Sequence, residues 1–79
     1  MQAFEVLQEI IMQDGLSVTK VSSRAHKPNN FISKTICRGS NPNCTTMVEL
    51  LDVMDYDLIA RSRKTGKEYR ITRPSDLIG

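Results

Sequence analysis

Apolar residues recur at helical spacing in four short runs, and afterwards at a spacing near two. Phe4, Leu7 and Ile11 fall at i, i+3 and i+7, with Val6 and Ile10 beside them, which predicts an amphipathic helix over residues 3–14. Gly15 stands where a left-handed cap is wanted. Ser17 can cap a second helix, about Val18 to Arg24, whose inward stripe is Val18, Val21 and Ala25. His26-Lys27-Pro28 ends it, because Pro28 disfavours the α conformation at Lys27. A third helix is expected over Asn29–Arg38, its buried stripe centred on either Ile32 and Ile36 or Phe31 and Thr35. Thr45 or Thr46 can cap a fourth, with Glu49 near capping-box spacing and Met47, Leu50, Leu51 and Met54 as its apolar face. Residues 56–61 and 68–72 then read as strands joined by a turn at Lys64-Thr65-Gly66-Lys67, while residues 74–79 are too mixed to assign. The predicted fold is mainly α, four to five helices with a C-terminal β-hairpin.

Composition narrows this picture. A chain of 79 residues is one domain, burying only about 60% of its extended surface, so dimerisation is a natural source of added stability. With no Trp and only two Phe and two Tyr, the core must be aliphatic, and Met12, Met47 and Met54 are expected to fill it. Cys37 and Cys44, seven apart, form neither a CxxC pair nor a disulfide framework; they are expected as reduced packing residues where helices three and four meet. His26 is the only histidine and cannot complete a zinc set, so no metal and no cofactor are expected. The first 14 residues carry acids rather than a signal peptide's bases, and no run is long enough to span a bilayer, so a cytoplasmic protein without a membrane partner is expected. No catalytic residue is assigned: paired-carboxylate motifs, Gly-rich phosphate loops and Cys–His pairings are missing, and Asp52 and Asp55 read as a solvated acidic face.

The net charge of +2 says little, but its distribution says more. Residues 1–14 hold Glu5, Glu9 and Asp14 and no base, whereas residues 15–48 hold Lys20, Arg24, Lys27, Lys34 and Arg38 and no acid. Residues 49–57 return to acids alone, and residues 61–73 set six bases against Glu68. Such alternation suggests one side that faces a polyanion. The basic hairpin is open to three readings: a solubilising edge, a contact with nucleic-acid backbone, or a surface facing the acidic fourth helix of another subunit.

A family resemblance enters at this point. Leu16-Ser17 opens the pattern, Val21 and Ala25 are inward, Ser22 takes a small-residue position, and Ile32-Ser33-Lys34 lies within the third helix. Gly39, Pro42, Thr46-Met47, Leu50 and Met54 complete it. Over residues 3–54 the chain resembles the lambda-repressor-like, Xre/Cro-type helix-turn-helix domains. It departs from them in having His26 where the family often has Gly, Pro28 where a Ser or Thr cap is usual, Val18 for an early Gln, and Gly39 one place late. The resemblance implies a helix-turn-helix DNA-binding domain over 1–54, with helices about 17–25 and 29–38. It also implies a hairpin extension over 55–73 that dimerises through Leu58, Ile59, Tyr69 and Ile71, followed by a tail at 74–79.

A third helix of this kind would enter the major groove of double-stranded DNA. Asn29 and Asn30 suit adenine, although either is also a good helix cap; Ser33 can serve in either role, and Lys34 can reach guanine or phosphate. Lys20, Lys27 and Arg38 would hold phosphates, as would the helix start at Ser17 and Thr19. The implied function is a phage- or plasmid-type transcriptional regulator, most simply a repressor, acting as a homodimer on a palindromic operator. The alternative is a protein-binding module of the same fold, such as an antitoxin or a phage inhibitor of a host defence complex, which could also regulate its own promoter.

Overall fold

The computed structural model describes residues 1–72 as four helices followed by one antiparallel hairpin; Arg73 and the 74–79 tail lie outside the described residues. The elements are α1 (Ala3–Asp14), α2 (Val18–Arg24), α3 (Phe31–Arg38), α4 (Cys44–Val53), β1 (Leu58–Arg61) and β2 (Glu68–Ile71). The chain is therefore mainly helical, with a small two-stranded sheet.

Local chemistry sets the helix starts. Glu5 Oε1 accepts the Gln2 N–H at 2.9 Å, and Ser17 Oγ accepts the Lys20 N–H at 3.3 Å, as a serine cap should. Helix α4 is capped by neither Thr45 nor Thr46. The Asn43 side chain accepts the Thr46 N–H at 2.9 Å, and the two threonines fall inside the first turn. Asn is the stronger cap of the two residue types. Helix α3 begins at Phe31 rather than Asn29, because residues 28–31 close a turn in which the Phe31 N–H donates to the Pro28 carbonyl at 2.9 Å.

All four helices end alike. Gly15, His26, Gly39 and Asp55 take φ of 64°, 60°, 65° and 66°. At each end the following N–H reaches back to a carbonyl five residues earlier: Leu16 to Ile11, Lys27 to Ser22, Ser40 to Thr35 and Tyr56 to Leu51. This is the Schellman closure, which satisfies carbonyls that a helix end otherwise leaves orphaned.

The core joins every helix. Leu7 and Ile11 of α1 meet Val21 and Ala25, Ile32 of α3, and Met47, Leu50, Leu51 and Met54 from α4 and its end. Ile32 is fully buried while Phe31, Thr35 and Ile36 are half-buried, so the α3 stripe centres on Ile32. Two expectations need correction. Met12 is 73% exposed and fills nothing, since it points away from the Leu7–Ile11 face. Cys37 and Cys44 are exposed free thiols rather than packing residues. Cys37 continues the exposed row of Asn29 and Ser33, and Cys44 precedes the apolar face of α4.

In the hairpin, Leu58 pairs with Ile71, Ile59 with Arg70, Ala60 with Tyr69 and Arg61 with Glu68. Because side chains alternate along a strand, Leu58, Tyr69 and Ile71 share one face and Ile59 lies on the other. The four residues named for dimerisation therefore lie on both faces of the hairpin. The loop is longer than a four-residue turn. It spans residues 62–67, with Ser62 Oγ accepting the Lys64 and Thr65 N–H groups at 3.3 and 3.2 Å.

Candidate nucleic-acid interface

The α2–α3 connection is fixed by one buried serine. Ser22 is 0% exposed; its hydroxyl donates to the Val18 carbonyl at 2.8 Å and accepts the Ile32 N–H at 3.4 Å. A first-turn donor of α3 is thereby satisfied by a side chain of α2, which holds the two helices in one relation. His26 turns the chain between them at its left-handed φ.

On α3 the outward residues form two rows at helical spacing. Asn30, Lys34 and Arg38 make one, and together with Pro28, Phe31, Thr35 and Ser40 they line a groove of about 280 Å³. Asn29, Ser33 and Cys37 make the other, all exposed. Asn30 occupies the N-cap position, but its side chain makes no capping hydrogen bond, so its amide remains available to a ligand. Thr35 directs its hydroxyl to the Phe31 carbonyl at 2.9 Å.

On α2, Ser17, Lys20 and Arg24 line a second groove of about 270 Å³, while Thr19 is exposed beside them. Arg24 is not among the phosphate contacts that the resemblance implies, yet it lines the same groove. Its signal was present, since it follows Lys20 by four residues and therefore shares its face.

Lys27 stands apart from the other expected phosphate contacts. Its ammonium lies 3.4 Å from the Glu49 carboxylate and 5.8 Å from the centre of the Phe31 ring. It ties the α2–α3 turn to α4, and an ammonium already paired has less to offer a phosphate.

The hairpin residues occupy different surroundings. Leu58 and Ile71 are half-buried, whereas Ile59 and Tyr69 are exposed. Lys67 lies 5.2 Å from the Tyr69 ring centre, and Arg70 pairs with Asp57 at 3.1 Å. Among the described residues no three of His, Cys, Asp and Glu gather as a metal ion would require, and no helix is long and apolar enough to cross a membrane. Comparison with protein-family models, curated proteins and solved structures finds no match for the chain.

Proposed function

We propose that this chain is a sequence-specific DNA-binding regulator of helix-turn-helix type, working as a homodimer that blocks transcription by occupying a palindromic site. The observation that carries the reading is α3 itself. It is held against α2 by the Ser22–Ile32 bond, and it presents exposed Asn29, Asn30, Ser33, Lys34 and Arg38 within an acid-free stretch of the chain. Neutral amides beside cations match the hydrogen-bonding edges and flanking phosphates of a major groove. Asn29, Asn30, Ser33 and Lys34 read bases in this proposal. Ser17, Thr19, Lys20, Arg24 and Arg38 hold phosphates, with Lys27 fixing the turn instead. Two copies would set their α3 helices in successive grooves about 34 Å apart.

Selection of bound sites from random duplexes, followed by gel-shift titration, tests this. Asn30→Ala should lower affinity for the selected site by about 1–3 kcal/mol and relax discrimination at one base pair. Failure to enrich any sequence would refute sequence-specific binding. An unaltered preference in Asn29→Ala and Asn30→Ala would remove α3 as the reading element.

A further inference from the structure

Three uses are open to the basic hairpin in the sequence, and its structure separates them. Arg61, Arg63, Lys64 and Lys67 fall within residues 61–67, which hold no acid and no apolar side chain, and all four are exposed. They gather at the turn. The strands themselves hold only Arg61 and Arg70 as cations, and Arg70 is paired with Asp57 at 3.1 Å. A solubilising edge would instead spread charge along the strands, whose open backbone groups need protection. The acids of residues 49–57 are poor partners for the hairpin of another copy, because Glu49 is held by Lys27 and Asp57 by Arg70 within the same chain. Those two pairs are the ion pairs among the described residues, so the four cations of the turn meet solvent without a carboxylate there.

The turn is also held in one shape. Ser62 Oγ accepts the Lys64 and Thr65 N–H groups, the Ser62 N–H donates to the Lys67 carbonyl at 2.8 Å, and the Gly66 N–H donates to the Ser62 carbonyl at 2.9 Å. Cations on a fixed loop lose less freedom on meeting a ligand than cations on a loose one. Lys67 lies 5.2 Å from the ring centre of Tyr69, itself 58% exposed, so the patch ends in a phenol that can donate to a phosphate oxygen. We infer that this loop is a second nucleic-acid contact, which grips the phosphate backbone of duplex DNA without reading its sequence. Unpaired cations flanked by hydroxyls suit phosphate oxygens, whereas binding to a lipid surface also draws on buried apolar area, and residues 61–67 have none to offer. The contact rests on the DNA reading for its partner, yet it is separate from α3 and from the α2 groove, so either can fail alone.

The salt dependence of binding to a duplex of arbitrary sequence provides the test, with the full chain titrated over a series of salt concentrations. Each phosphate contact adds about one to the slope of log affinity against log salt. Arg63→Gln/Lys64→Gln should therefore lower that slope by about two, and both side chains are exposed, so circular dichroism should show an unchanged fold. Arg70→Gln is the control, since its guanidinium is already paired with Asp57, and it should leave the slope nearly as in wild type. An unchanged slope in the double variant would overturn the inference. So would an equal loss per charge in Arg70→Gln, which would mean that net charge alone matters. Wild-type binding to vesicles containing phosphatidylserine, lost in the double variant while its DNA slope stays the same, would assign the loop to a membrane and overturn it too. Enrichment of a selected site with an unaltered slope in the double variant would leave the functional reading standing and remove this one. A slope lowered by two in a chain that enriches no sequence would do the reverse.

Discussion

His26 and Ser22 do most to define the bend between α2 and α3, and both are unusual choices for their surroundings. A side chain at φ of 60° carries a steric cost that glycine avoids. His26→Gly should therefore stabilise the fold by about 0.5–1 kcal/mol, the relief at this φ outweighing the greater freedom of glycine in the unfolded chain. Urea denaturation measures the change, and a loss of stability would mean that the imidazole makes a contact worth more than the strain. Ser22 presents the opposite case, a polar residue with no exposure. Ser22→Ala removes the acceptor of the buried Ile32 N–H and should cost about 1–3 kcal/mol in the same assay. Sequence reasoning placed Ser22 by its size alone. Its two hydrogen bonds depend on Val18 and Ile32, one within its own helix and the other ten residues away.

At the level of elements, polar side chains fasten the connections to the helices around the apolar core. Tyr56 joins the α4–β1 connection to the end of α1 by donating to Asp14 Oδ2 at 2.9 Å. That hydrogen bond, aided by desolvation and by the carboxylate's charge, raises the Tyr56 pKa above its usual 10.0. A tyrosine whose folded pKa is raised contributes stability that is complete below its unfolded pKa and is lost as pH climbs through the folded one. Tyr56→Phe should thus be less stable than wild type at neutral pH, and the difference should vanish in strong alkali; thermal melts across that range would expose an unchanging gap if the bond does nothing. The Lys27–Glu49 pair makes a second link, between the turn and α4. Lys20→Ala should reduce the salt dependence of DNA binding by about one ion, whereas Lys27→Ala should leave that slope nearly intact. Equal slopes for the two variants would show that Lys27 leaves Glu49 for a phosphate. A third link is Asn41, which accepts the Phe4 N–H at 3.3 Å and donates to Gln2 Oε1 at 2.9 Å, fastening the α3–α4 loop to the start of α1. Such loop contacts carry no periodic signal in a sequence.

The whole molecule is small enough that one core residue decides its survival. Leu50 is wholly buried among residues of the other helices. Leu50→Ala should cost about 2–5 kcal/mol, a large share of the stability such a domain possesses, and should yield a largely unfolded chain at 37 °C by circular dichroism. A modest shift in melting temperature instead would mean that the site collapses around the smaller residue.

The order of elements was legible in the chain because apolar spacing alone decides which face a helix or strand can bury. The i, i+3, i+7 run of Phe4, Leu7 and Ile11, the Met47–Met54 face and the switch to alternation after Asp55 each located an element. Charge blocks were equally plain, being a matter of counting. Other features waited for the tertiary structure: the capture of Lys27 by Glu49, the exposure of Met12, Cys37 and Cys44, the capping of α4 by Asn43, the start of α3 at Phe31, and the split of Ile59 from Leu58, Tyr69 and Ile71. Each turns on which groups meet across the fold or which of several adjacent caps and turns wins. Spacing along a chain fixes the face of an element, whereas a partner on another element is fixed only when the two are brought together.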